Sequence, residues 1–204
     1  MENPIPTRYS LLSRLKDRGD DASWRDFYET YRHLIHSFAL KSGLAPMEAD
    51  DVLQETVLSV SKHLESFKKE RKLGSFKGWL LNLTRWRIED QLRKRMKDHA
   101  RERLHKLAFV DADDVPLNTS SQDLEQLWES EWRANVLAVA TDRVKQKVKE
   151  EHYQIFHLMM VKKWPAGKVA KFLDVSLARV YLAKHKVSSL MREEIKLVRA
   201  KLES

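Results

Sequence analysis

Apolar residues recur every three to four positions along most of the chain, which is the pattern of amphipathic helices. Alternating runs typical of strands are rare, and the 204 residues include only five Gly and five Pro. The pattern therefore predicts an all-α protein. The predicted helices cover residues 8–16, 24–41, 48–64, 79–97, 124–149, 153–161, 166–173 and 177–199.

The stretch 74–97 combines an apolar track with a strongly basic surround. It opens with a Gly-Ser break and continues without Gly or Pro from Trp79 onward. A basic surface that carries an aromatic ring suits a phosphate backbone with nearby bases, although a solvated charged face has the same pattern. The candidate nucleic-acid residues of this stretch are Lys77, Arg85, Trp86, Arg87, Arg93, Lys94 and Arg95.

The predicted helix 48–64 has an apolar stripe and an acidic opposite face. Spacings of four and three residues place Asp51, Glu55 and Leu58 on that face. Gln54 lies beside Leu58. A Leu exposed within an acidic face is typical of a docking surface for another protein. A charged outer face with one stray Leu is the alternative.

The net charge of +8 favours an anionic partner, nucleic acid before a membrane surface. No apolar run is long enough to span a bilayer, and the first residues lack the basic-then-apolar order of a secretion signal. The absence of Cys excludes a disulfide framework and a thiolate metal site. We therefore expect a cytoplasmic protein.

Signatures of enzymes are missing from the sequence. His33 and His36 lie three residues apart, but no acid with metal-ligand spacing follows them. There is no Gly-rich phosphate loop and no Gly-x-Ser-x-Gly elbow. The sequence therefore predicts a protein with no catalytic residues, no metal site, no cofactor and no small-molecule substrate.

Residues 107–132 contain seven acids and neither Lys nor Arg. The centre of this segment is rich in turn formers, which predicts a flexible acidic linker at 107–123 between two basic helical domains. Such a segment can be a plain tether, can reduce non-specific binding to nucleic acid, or can compete for a basic channel. The sequence leaves these three roles open.

The segment 166–199 has the pattern of a helix-turn-helix. Ala170 is the small residue that lets two helices cross closely, and Val180 is the apolar anchor of the second helix. Between them, Asp174 occupies the turn position that needs a positive φ, and Ser176 caps the second helix. The residues predicted to face the major groove or its edges are Ser176, Ala178, Arg179, Tyr181, Leu182, His185 and Lys186.

Three segments, in this order, resemble the extracytoplasmic-function (ECF) sigma factors of bacterial RNA polymerase, a compact branch of the sigma-70 family. The polymerase-docking helix of that family is similar to EADDVLQETVLSV. The segment that melts and reads the −10 promoter element is similar to GSFKGWLLNLTRWRIEDQLRKR, and the −35-reading helix-turn-helix to WPAGKVAKFLDVSLARVYLAKHKVSSLMREEI.

The resemblance implies two all-α domains joined by the acidic linker. A sigma region 2 helical bundle would occupy residues 1–106, and a sigma region 4 helix-turn-helix domain would occupy residues 124–204. Three residues depart from the family pattern. Trp86 stands where Asn is usual, Asp174 where Gly is usual, and Ser59 where a basic residue is common.

Trp86 lies seven residues after Trp79 and shares its side of the helix. Two alternatives follow for the Trp86 ring: burial in the core, or a position that faces a base. We expect Trp79 in the core, and we rank Trp86 above it as the base-facing ring, because Arg85 and Arg87 flank Trp86 and the family has a polar residue there.

The resemblance implies an alternative sigma factor without catalytic activity. The acidic face of helix 48–64 would dock on core RNA polymerase, the basic stretch 74–97 would hold the −10 element, and the helix-turn-helix would read the −35 box. An extruded base would lodge near the loop 65–75 and Lys77. The predicted partners are core polymerase and promoter DNA, with an anti-sigma protein as a further candidate.

A stand-alone helix-turn-helix repressor or activator, whose N-terminal helices dimerise, is the alternative function. Such a regulator has no reason to present the acidic face of helix 48–64 to polymerase. Binding of core polymerase therefore separates the two functions.

Overall fold

A computed structural model of the chain describes residues 15, 20–69, 75–105 and 121–203. Within these ranges the regular elements are helices and no strand occurs, which confirms the predicted all-α class. The predicted helix 8–16 (apart from Leu15) and most of the predicted linker (residues 107–120) lie outside the described residues. The helices are α1 (Asp21–Lys41), α2 (Pro46–Lys69), α3 (Phe76–His105), α4 (Ser121–Lys147), α5 (Glu150–Phe156) with a π-helical turn directly after it (His157–Val161), α6 (Ala166–Leu173) and α7 (Leu177–Glu203).

The helices α1, α2 and α3 pack around one core. The carboxylate of Asp20 accepts a hydrogen bond from the backbone amide of Ser23 at 3.0 Å and so caps the start of α1. Most of the apolar positions predicted from the periodicity face inward on these three helices, whereas Tyr28 of α1 and Met96 of α3, predicted on the same stripes, are exposed. The fully buried apolar side chains of this core include Phe27, Leu34, Ile35 and Phe38 of α1, Val52, Val60 and Leu64 of α2, and Phe76 and Leu80 of α3.

The first half of α4 completes this core with two tryptophans. Trp128 and Trp132 are only 2% and 1% exposed. The ring of Trp128 lies 5.0 Å from that of Phe38, and the ring of Trp132 lies 6.2 Å from that of Tyr31. Since large aromatic side chains dominate the energetics of a core, this half of α4 is an integral part of it.

Polar contacts fix the same half of α4. The buried carboxylate of Glu131 accepts hydrogen bonds from Ser37 Oγ and Lys41 Nζ, each at 2.5 Å. Asn135 Nδ2 donates to the backbone oxygen of Thr30 at 3.0 Å. A buried charge is tolerated when it is paired and hydrogen-bonded, as Glu131 is.

The chain divides into two compact units inside α4, after Asn135. Residues 124–135 lie with the first of these units. The helical period of α4 is regular throughout, and a period alone does not tell which neighbour a helix packs against. The predicted boundaries at 106 and 123 adjoin the range that the structure leaves undescribed, and they stay predictions.

The second unit contains the rest of α4 and the helices α5, α6 and α7. Its buried cluster consists of Ile155, Val169, Val180 and Ala183. Pro165 directly precedes α6, and its extended backbone (φ −68°, ψ 146°) places it at the N-cap. There the missing backbone N–H of proline leaves no helical hydrogen bond unmade.

A buried carboxylate ties α4 to α7 within the second unit. Glu194 is 3% exposed, and its carboxylate pairs with Lys147 Nζ and lies 3.8 Å from Arg143 Nη1. The end of α4 therefore lies alongside α7.

Candidate nucleic-acid interface

The acidic face predicted on α2 is present. Asp51, Gln54, Glu55 and Leu58 are all exposed, and the Leu58 side chain is 50% exposed. The intervening residues of the helix turn inward and hold α2 in place. Gln91 of α3 donates a hydrogen bond to Asp51 Oδ2 at 3.3 Å, which ties one end of the face to α3.

Arg87 of α3 turns towards α2. Its Nε and Nη2 donate to Ser59 Oγ at 3.0 and 2.7 Å, and its Nη1 lies 3.8 Å from Glu55. The hydroxyl of the buried Ser59 thus accepts both hydrogen bonds from Arg87. Ser59 stands where the ECF family, which the sequence resembles, commonly has a basic residue. The guanidinium of Arg87, which was predicted to contact DNA, therefore lies against α2 beside the acidic face.

Beside these contacts lies an aromatic groove. We define this groove by the side chains of Phe67, Trp79 and Trp86. The rings of Phe67 and Trp79 are stacked with centroids 4.8 Å apart. Trp86 is 61% exposed. The groove encloses a cavity of about 490 Å³. Of the two alternatives for Trp86, burial in the core is wrong, and Trp79, expected in the core, is half-buried in the groove wall.

His63 and Phe67 are groove residues that the sequence prediction missed. The predicted helix ended at residue 64, so Phe67 was assigned to the loop 65–75. Both residues continue the helical spacing from Ser59 at intervals of four, which is the signal that could have found them. The loop residues 70–74 lie outside the described residues.

Charges of both signs surround the groove. Arg93 lines it, is 60% exposed and pairs with Asp90 at 3.1 Å. Arg85 pairs with Glu89 at 3.0 Å one turn along α3. Each of these pairs is solvent-exposed and weak, so a phosphate can replace the carboxylate at little cost.

The predicted cluster Arg93-Lys94-Arg95 does not act as one surface. Lys94 is exposed, whereas Arg95 turns back to the start of α2. There Arg95 pairs through two nitrogens with the carboxylate of Glu48, at 2.8 Å for Nε, and also reaches the backbone oxygen of Gly43. Arg95 therefore stabilises the packing of α3 on α2.

Lys77 is also engaged within the first unit. Its Nζ pairs with Glu129 of α4 and lies 5.4 Å from the centre of the Trp132 ring. Only 19% of its side chain is exposed. A contact between Lys77 and DNA would require this pair to open.

The turn between α6 and α7 has the predicted conformation. Asp174 adopts a left-handed backbone (φ 53°, ψ 49°), and its N–H donates to the carbonyl of Ala170. Asp tolerates this region better than most residues, at some cost relative to Gly. Ser176 Oγ accepts a hydrogen bond from the Arg179 backbone amide at 3.2 Å, and Val180 is fully buried. The predicted turn, cap and anchor are confirmed.

The outer face of α7 presents the residues that were predicted to face DNA. Tyr181 and Leu182 are 56% and 72% exposed. Arg179 alone of this set has an ion pair among the described residues, with Glu151 of α5. Glu151 was missed by the sequence prediction because it precedes Arg179 by 28 positions and no local pattern connects the two. The exposed members are Ser176, Ala178, Arg179, Tyr181, Leu182, His185 and Lys186.

Two further properties concern the described ranges as a whole. No helix there is both long and apolar enough to cross a bilayer. The residues described also include no group of three or more His, Asp or Glu that could hold a metal ion.

Comparison with known proteins finds one match, which lies within the first unit. Residues 27–98 match the family model of sigma-70 region 2. The match begins within α1 and ends in α3, so it contains the acidic face and the aromatic groove. No curated protein matches the chain. This segment is therefore similar to region 2 of sigma-70 proteins.

Proposed function

We propose that this chain is an alternative sigma factor of the ECF type, acting in the cytoplasm as a specificity subunit of RNA polymerase. The observation that carries the proposal is the pair of exposed surfaces within the region 2 match. There α2 presents its acidic face with Leu58 to solvent, and α3 presents Trp86 beside a groove.

The acidic face of α2 would bind core polymerase. Its carboxylates suit a basic partner surface, and Leu58 offers an apolar anchor of the kind that dominates protein interfaces. The face is held rigidly by the packing of α2 on α1 and α3, so little ordering is needed on binding.

The aromatic groove would receive a base from the melted −10 element. Extruding a base costs a few kcal/mol, and stacking on an aromatic side chain returns ~1–3 kcal/mol. Phosphate contacts from Arg93 and Lys94 would supply the remainder. This places the extruded base at Trp79 and Trp86 instead of at Lys77, which is paired with Glu129.

The helix-turn-helix would read the −35 element from the major groove. The left-handed turn at Asp174 and the buried Val180 set the angle between α6 and α7. The exposed side chains on α7 combine a guanidinium, an ammonium, a phenol and an imidazole, which can meet both phosphates and base edges.

A binding experiment with core polymerase tests the proposal. We expect the wild-type chain to be retained by immobilised core enzyme and the double variant Asp51→Arg, Leu58→Glu to be lost. The double variant Asp26→Arg, Leu137→Glu is the matched control, since Asp26 and Leu137 are exposed on α1 and α4.

Two results would contradict the proposal. Absence of binding by the wild type, together with specific DNA binding by the chain alone, would favour a stand-alone helix-turn-helix regulator. Equal retention of the wild type and the α2 variant would remove the docking role of the acidic face.

A further inference from the structure

Glu151 and Arg179 form the contact that joins α5 to the start of α7. The Nη2 of Arg179 donates a hydrogen bond to Glu151 Oε2 at 3.0 Å. The Nε of Arg179 lies 2.9 Å from Oε1 without the alignment of a hydrogen bond. The carboxylate thus faces one edge of the guanidinium plane.

The contact leaves the other edge of Arg179 available. A guanidinium has five N–H donors in a rigid plane. Because the carboxylate lies beside Nε and Nη2, the two Nη1 donors and the second Nη2 hydrogen lie on the other edges of the guanidinium plane. Two of these donors side by side match the O6 and N7 acceptors of guanine.

The ion pair between Arg179 and Glu151 contributes little to the stability of the fold, so its main effect is to hold the Arg179 side chain in one position. The Arg179 and Glu151 side chains are 54% and 37% exposed, and exposed ion pairs add little to the stability of a fold. A free arginine, however, loses much rotamer freedom when it binds. An arginine already held by a carboxylate has lost part of that freedom before DNA arrives.

The local structure makes the position reproducible. Ser176 Oγ fixes the Arg179 backbone amide at 3.2 Å, and the buried Val180 next to it anchors the first turn of α7. Glu151 belongs to the same helix as Ile155, which packs in the cluster with Val180. Both ends of the contact are therefore attached to one core.

We propose that Glu151 is a positioning residue that aims Arg179 at a guanine in the −35 element, an inference that rests on the proposed function of α7. The carboxylate would not contact DNA. It would hold the guanidinium plane so that its free edge lies in the major groove, and so sharpen the preference for one base at one position.

The test is a comparison of base preference between variants. Holoenzyme assembled from core polymerase and the full chain is bound to promoters that carry each of the four bases at each −35 position. For Arg179→Ala we expect the preference for guanine at one position to fall about tenfold or more. For Glu151→Gln we expect a fall of about threefold at that same position, with preferences elsewhere unchanged.

A control variant and a double variant separate positioning from a structural role. Glu150→Gln makes the same charge change one residue earlier, on an exposed side chain, and should leave every preference at the wild-type value. In the Arg179→Ala background, Glu151→Gln should cause no further change in preference, because its effect acts through Arg179.

The outcomes distinguish this inference from the proposed function. If Arg179→Ala leaves all −35 preferences unchanged, the reading role of α7 fails and the inference fails with it. If Arg179→Ala removes the preference while Glu151→Gln keeps it at the wild-type value, only the positioning role is overturned. An equal loss of affinity on all sequences for Glu151→Gln also overturns it, since that result indicates a structural role.

Discussion

The helices α3 and α7 are both basic and both proposed to bind DNA, yet they differ in how many of their charged side chains pair with groups of the same chain. On α3, Arg87, Arg95 and Lys77 are engaged by groups of α2 and α4. On the outer face of α7, only Arg179 has an ion pair among the described residues. Beside the exposed Arg93 and Lys94, α3 also exposes an aromatic ring, that of Trp86.

The difference indicates two ways of meeting DNA. Several cations of the α3 surface are paired with carboxylates, so binding there exchanges carboxylates for phosphates, and the added interaction comes from stacking in the aromatic groove. The α7 surface is largely uncommitted and can present donors to base edges directly. We therefore expect α3 to contribute to strand opening and α7 to sequence preference.

The largest expected effect is on the packing of α4 against the first unit. Trp132→Ala removes a buried ring that contacts Tyr31 and covers Lys77, and should destabilise the first unit by ~3–5 kcal/mol. Amide hydrogen exchange in α1 and α3 measures this loss. Leu137→Ala, at an exposed position of α4, is the control. Protection lost only in α6 and α7 would mean that this half of α4 serves the second unit.

The next effect concerns the aromatic groove. Trp86→Ala should lower the equilibrium for strand opening by ~1–3 kcal/mol, because the base loses its stacking partner. Trp86→Phe should retain most of the opening. The fluorescence of 2-aminopurine placed in the −10 element of a holoenzyme complex reports the unstacked base. If the Trp86→Ala variant opens the strands as well as the wild type does, the ring does not stack on a base.

A smaller effect is expected at the phosphate contact of α3. Arg93→Ala should weaken binding alike on all promoter sequences and reduce the slope of log affinity against log salt by about one. Filter binding over a range of salt concentrations measures both quantities. A loss confined to some promoter sequences would indicate that Arg93 reads bases.

The smallest effect is expected from releasing Lys77. Glu129→Gln removes the carboxylate that pairs with Lys77 and also lies 3.7 Å from Arg133, so the freed cations should raise non-specific DNA affinity by about two- to fivefold. The exposed Glu125 on the same helix provides the matched control, Glu125→Gln. An equal rise in DNA affinity for both variants would reflect the change in net charge alone. It would argue against the idea that the acidic segment competes with DNA for a basic surface.

The sequence predicted the helices well because helical periodicity is a local property. It also predicted the left-handed Asp174, the Ser176 cap and the Val180 anchor, since each is specified within a few residues by the geometry of one turn. The exposure of the acidic α2 face followed from the same spacing rule.

Contacts between distant residues were not predicted. Arg95 and Glu48 are 47 residues apart, and Lys77 and Glu129 are 52 apart, so no local spacing connects them. A basic run such as 93–95 looks the same in the sequence whether its side chains bind DNA or pair with a carboxylate of the same chain. The side of the Trp86 ring was likewise undecided until the packing of α2 on α3 was known.

The most direct test of the central claim is run-off transcription by core polymerase and this chain, on promoters randomised in the −10 and −35 elements. We predict specific transcripts with the wild type, a changed −35 preference with Arg179→Ala, and fewer transcripts with an unchanged −35 preference for Trp86→Ala. Failure of the wild-type chain to direct transcription from any promoter, although it is bound to core polymerase, would contradict the account.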